Sequence, residues 1–76
     1  MATFDYVNAV LSLAQYVEMS DGSYYGEVTE IPGLECDGKT LEDCKRQLRG
    51  KIRDWVNGTQ NAGELLPVVN GIDLNK

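Results

Sequence analysis

The 76-residue sequence predicts an α+β domain whose elements run α-β-β-β-α, with room for a short last strand. Three observations predict it. Two stretches, 3–14 and 41–57, place apolar residues three and four apart, the spacing of one helical stripe. The segment between them alternates and is rich in strand-favouring side chains. That segment is cut into three pieces by turn dipeptides at Asp21-Gly22, Pro32-Gly33 and Asp37-Gly38.

The first helix is expected over Thr3–Ala14, with Tyr6, Val7, Val10, Leu11 and Ala14 on its apolar stripe. Thr3 reads as its N-cap, and Asp5 suits the positive end of the helix dipole. A strand over Gln15–Met19 follows, and Asp-Gly between two alternating runs signals a hairpin. The return strand is expected over Tyr24–Ile31. Its alternation sets Tyr25, Glu27, Thr29 and Ile31 against Tyr24, Gly26, Val28 and Glu30. Glycine within a strand marks a bulge or a close approach, and the close approach is preferred because an amphipathic helix must cover this sheet.

Pro32-Gly33 breaks the ladder, and Leu34–Asp37 forms a third strand. Thr40 then caps the second helix, with Asp43 at the reciprocal position of a capping box. Leu41, Cys44, Leu48, Ile52, Trp55 and Val56 line its buried stripe, and Asn57-Gly58 is read as its end. In the tail, the stretch from Val68 to Leu74 leaves room for a last strand, with Asn70-Gly71 as a turn and part of the tail on an edge or in a dimer contact.

The whole chain, 1–76, reads as a single domain. A core of this size supplies little net stability, which makes a homo-oligomer, dimer or higher, an expected partner. The net charge is −5, opposed to phosphate backbones. Its distribution says more: residues 1–38 carry seven acids and no Lys or Arg, while residues 39–53 carry six of the seven basic residues. An acidic sheet face suited to a basic protein partner is one reading; ordinary solvated surface is the other. No apolar run is long enough to span a bilayer, and no secretory signal opens the chain. Cys36 and Cys44 are expected as free thiols in a reducing cytoplasm, with one disulfide between them as the alternative.

No constellation points to catalysis. The chain has no histidine, the usual base for a Ser or Cys nucleophile. Glu27 and Glu30 could serve acid–base work but lie in strand sequence without an apolar pocket. Asp21 and Asp37 sit in turns, where their side chains stabilise the bend. The glycines have neither phosphate-loop nor dinucleotide spacing. The expectation is therefore no catalytic residue, no metal and no cofactor. Double-stranded RNA-binding domains share the element order, yet they place cations at the start of the second helix. Here Glu42 and Asp43 stand there, leaving only Lys45, Arg46 and Arg49 further along.

The stretch Tyr24–Cys44, Y-Y-G-E-V-T-E-I-P-G-L-E-C-D-G-K-T-L-E-D-C, resembles the HicB-like antitoxin family. Gly26-Glu27, Ile31-Pro32-Gly33 and Gly38-Lys39-Thr40-Leu41-Glu42-Asp43 carry the likeness, continued by the helix ending in Trp55 and by Gly63–Pro67. The resemblance implies a partial ribonuclease-H-like sheet packed by helices, without that fold's catalytic carboxylates. It also implies a module that masks a small basic mRNA-cleaving ribonuclease toxin of the HicA type. Many members carry a C-terminal DNA-binding segment; this sequence stops at Lys76, so direct DNA binding is not expected. The partner-binding candidates are Glu27 and Glu30, as exposed acids on the central strand, and Tyr25 on the same face as Glu27. The rival reading is a stand-alone structural or regulatory oligomer without a toxin, and double-stranded RNA binding is the third.

Overall fold

The computed structural model describes residues 2–74. They form α1 (Ala2–Ser12), β1 (Gln15–Glu18), β2 (Tyr24–Glu27), β3 (Glu35–Gly38) and α2 (Leu41–Asn61), the α+β order that the sequence predicts. The strands make one antiparallel sheet in the order β1-β2-β3. α2 packs on β2 and β3, and α1 packs on α2, so both helices lie on one side of the sheet. No helix among the described residues is long and apolar enough to cross a membrane.

α1 buries Tyr6, Val7, Ala9 and Val10, while Leu11 and Ala14 pack half-buried against the same core. Thr3 lies within the helix rather than capping it, since α1 already includes Ala2. The helix closes at Ser12, whose hydroxyl donates to the Ala9 carbonyl at 2.6 Å and so competes for a last-turn acceptor.

The β1–β2 hairpin turns where expected. The Met19 N–H donates to Ser23 O at 2.7 Å and the Gly22 N–H to Met19 O at 3.0 Å. The Asp21 carboxylate accepts from the Ser23 backbone N–H and hydroxyl at 3.0 and 2.6 Å, bonds that hold its pKa below the usual value.

β2 is shorter than predicted, ending at Glu27. Beyond it the Val28 N–H still bonds to Leu34 O at 2.9 Å, but Ile31 N–H turns back to Val28 O and Leu34 N–H to Ile31 O. Pro32 and Gly33, the latter at φ +91°, occupy the second and third positions of a type II turn. The predicted alternation holds through Thr29, with Val28 buried on the side of Gly26, and fails at Ile31, which alternation places on the outer face but which is buried.

Thr40 caps α2 as expected, its hydroxyl accepting from the Asp43 N–H at 3.1 Å. The Asp43 carboxylate pairs with Arg46 at 3.2 Å. Cys44, Leu48, Ile52 and Val56 are buried along one stripe. Leu48 and Ile52 have no exposed surface, each burial favouring the fold by about 1.5–3 kcal/mol before entropy is counted.

The helix does not end at Asn57-Gly58 but runs on to Asn61. Glu64 N–H bonds to Thr59 O and Gly63 N–H to Gln60 O, both at 3.0 Å. Gly63, at φ +74°, takes the left-handed position of this Schellman closure. The expected last strand is reduced to a single bridge, Val69 with Ile72, around Asn70-Gly71. Leu66 and Val69 fold back into the core.

Candidate protein-binding face

Strand pairing decides which side chains share a face. Tyr16, Gly26 and Cys36 stand in one row across the sheet, and burial of Gly26 and Cys36 marks that row as facing the helices. The interleaved rows, Val17–Tyr25–Asp37 and Gln15–Glu27–Glu35, therefore face solvent.

The inner row shows why this sheet can lie so close to α2. A Cβ built on Gly26 would stand 2.7–2.8 Å from the Tyr16 ring and 3.1 Å from Cys44 Sγ. The close approach read from a glycine inside a strand is present, with Tyr16 as well as the helix making it. The Lys45 ammonium lies 5.7 Å from the centroid of the Tyr16 ring, a cation–π contact.

The outer face carries three carboxylates around one phenol. Tyr25 donates its hydroxyl to Glu35 at 2.8 Å, with Glu27 also in reach at 3.4 Å. The hydrogen bond to Glu35, burial and the two nearby negative charges push the Tyr25 pKa up to about 12, because ionisation would set a phenolate among carboxylates. Asp37 is exposed beside this pair, and Val17 is 57% exposed in the same row as Tyr25. The Lys51 ammonium donates to the Glu35 carbonyl oxygen at 2.6 Å, covering the backbone of β3 at its open edge. This geometry offers no nucleophile with a base. Among the described residues no group of three or more acids or cysteines is arranged to hold a metal ion.

Of the three candidates read from sequence, Tyr25 and Glu27 come together on β2. Glu30 does not join them. It lies in the turn after β2, exposed, at a cleft of about 270 Å³ with Leu13, Ile31, Pro67, Val68, Val69 and Asn70. Its placement on the central strand is thus corrected, since the ladder stops three residues before it. Glu35 and Asp37 were missed as face residues. The signal was available in Glu35-Cys36-Asp37: an apolar residue between two acids on a strand sends both acids outward.

A family model for UPF0150-like proteins matches residues 5–67, which includes the hairpin, the Pro-Gly turn, all of α2 and the start of the tail. The chain belongs to the UPF0150-like family. UPF0150 is related to the HicB-like antitoxins, in agreement with the resemblance carried by Tyr24–Cys44. Among solved structures, the crystal structure of TTHA0281 from Thermus thermophilus is similar at a TM-score of 0.87 and 27% sequence identity, over 97% of this chain and 93% of that one. No curated protein matches the chain. The UPF0150-like match and this structural likeness both span the sheet with its acidic outer face.

Proposed function

We propose that this UPF0150-like domain is a non-catalytic binding module that covers a small basic protein with the outer face of its sheet, the partner being an mRNA-cleaving ribonuclease of the HicA type. One observation carries the reading: Glu27, Glu35 and Asp37 surround Tyr25 on the solvent side of a sheet whose other side is closed by helices. Tyrosine is enriched at the centres of protein interfaces because it buries a large apolar ring while keeping a polar tip. Carboxylates around it steer a cationic partner and repel acidic ones. A cytoplasmic setting, where thiols are held reduced, belongs to the same reading.

Co-expression with a basic, histidine-containing ribonuclease of this type tests the proposal. The expected result is a co-purifying complex, restored growth and protected mRNA. Replacing Glu27, Glu35 and Asp37 together by Lys is expected to weaken the complex at least tenfold, since like charges then face each other. If the ribonuclease stays active and elutes alone, the reading is wrong.

A homo-oligomer is the second reading, favoured by the open edge of β1. The Met19–Ser23 hydrogen bond and the pairing register turn the backbone groups of Tyr16 and Glu18 away from β2. Lys51 covers the opposite edge of the sheet, leaving β1 for strand addition by a second copy. A light-scattering mass of one chain at micromolar concentration refutes it.

A further inference from the structure

Two sulfurs meet where β3 hands the chain to α2. Cys36 projects from the inner face of β3, and Cys44 lies in the first turn of α2. Their Sγ atoms are 2.9 Å apart, and the Cys36 thiol also donates to the Cys44 carbonyl oxygen at 3.0 Å. Both are free thiols, 4% and 0% exposed. Neither belongs to the outer acidic face.

The contact is built by two glycines. A Cβ on Gly38 would stand 2.7 Å from the Cys44 backbone nitrogen, and one on Gly26 would stand 3.1 Å from Cys44 Sγ. Their bare backbones let the first turn of α2 settle onto the sheet until sulfur touches sulfur. Plain apolar packing has no need of that pairing. A metal role would need further ligands, and among the described residues no cluster of three supplies them. Both thiols are buried, so an oxidant reaches them when the contact between β3 and the first turn of α2 opens locally.

We infer that Cys36 and Cys44 form a reversible dithiol–disulfide site, oxidised by hydrogen peroxide or by low-molecular-weight disulfides, which clamps β3 to α2 when closed. A disulfide is about 2.0 Å long, so the sulfurs close by only about 0.9 Å. With a small disulfide as oxidant, one protein thiolate attacks an oxidant sulfur and expels a thiol. The second protein thiolate then attacks the protein sulfur of the mixed disulfide and expels the other thiol. Two protons leave the protein, and two electrons reduce the oxidant's S–S bond to two thiols. With peroxide, one thiol becomes a sulfenic acid as the O–O bond breaks and water leaves. The second thiol then condenses with it and releases a second water. Burial, followed by the contact with Cys44, pushes the Cys36 thiol up to about 12. Thiolate is therefore scarce, and the pair stays reduced until oxidant is in excess.

The test holds the folded protein with excess oxidised glutathione or hydrogen peroxide, then quenches it in acid. The protein is next unfolded with a thiol-alkylating reagent and weighed intact. The expected product is a monomer lighter by about 2 Da that takes up no alkyl group. Its thermal midpoint rises by about 10 °C, since the bond closes a short loop of the unfolded chain. Dithiothreitol reverses both changes. Cys36→Ser and Cys44→Ser are each expected to form no internal bridge and to show no such rise. Two alkylatable thiols surviving oxidant that converts a free-cysteine peptide overturns the inference. So does a bridge that forms only in denaturant, or one that lowers the midpoint.

Discussion

At the scale of single residues, two glycines and one tyrosine bear most of what is specific to this sheet. Gly38→Ala drives a methyl group to 2.7 Å from the Cys44 backbone nitrogen, whereas Gly26→Ala meets mainly the Tyr16 ring. Backbone in a capped first turn cannot rotate aside, so Gly38→Ala is expected to cost more, about 2–3 kcal/mol against about 1–2 for Gly26→Ala. Urea unfolding of both variants gives the order; Gly26→Ala proving the costlier would reject the packing described. Tyr25 supplies a pH signature. Its pKa is raised from 10.0 to about 12, so the folded state holds the phenolic proton more tightly than the unfolded chain. The stability it contributes is whole below pH 10 and is lost as pH climbs through 12. The ultraviolet difference spectrum between the protein and Tyr25→Phe is expected to show one tyrosine ionising near pH 12; ionisation near the ordinary value would mean the bonds to Glu35 and Glu27 are absent in solution. The close approach at Gly26 was legible in sequence because glycine is conspicuous in an alternating run. The position of Glu30 was not, because alternation gives the parity of a strand and says nothing of where its ladder stops.

At the scale of elements, α2 shows how a local signal loses to a better one further on. Asn57-Gly58 has the composition of a helix end, and so has Asn61-Ala62-Gly63, four residues later. Glycine inside a helix costs about 1 kcal/mol relative to alanine. Continuing through Gly58 gains another turn of backbone hydrogen bonds and the double closure by Gly63 and Glu64. Composition cannot rank the two ends, since the decision rests on what the extra turn gains. The consequence is testable at Gly50 and Gly58, both helical and both open, with nothing within 4 Å of a built Cβ. Gly50→Ala and Gly58→Ala are each expected to stabilise the protein by about 0.5–1 kcal/mol, read as a higher urea midpoint at unchanged slope. A loss at Gly58 would place the true helix end where the sequence suggests it. The same reasoning explains β2. Its hydrophobic pattern runs on to Ile31, but proline's missing donor and the type II turn take Ile31 into the core by another route.

At the scale of the whole molecule, the order of elements was legible while the closure of the fold was not. Helical spacing and turn dipeptides are local and fix the α-β-β-β-α order; the tie between the chain's two ends joins residues 61 positions apart. Tyr6, fully buried in α1, stacks on Trp55 of α2 with centroids 6.4 Å apart and rings inclined by 20°. Its hydroxyl passes beyond that stack to donate to the Pro67 carbonyl oxygen at 2.6 Å. One side chain thus fastens α1, α2 and the tail, and it holds Leu66 and Val69 over the core. Tyr6→Phe keeps the ring and the stack but withdraws the donor. A part-buried carbonyl left without its partner costs about 1–2 kcal/mol, and the loss should fall first on the tail. Amide hydrogen exchange is therefore expected to quicken at Val69 and Ile72, whose N–H groups bond to each other's carbonyls, before it quickens at Leu48 or Ile52 in α2. Equal acceleration at all four amides would show that the tail unfolds only with the whole domain, and that Tyr6 acts through general packing. Unchanged exchange at all four would show that the bond to Pro67 contributes nothing in solution.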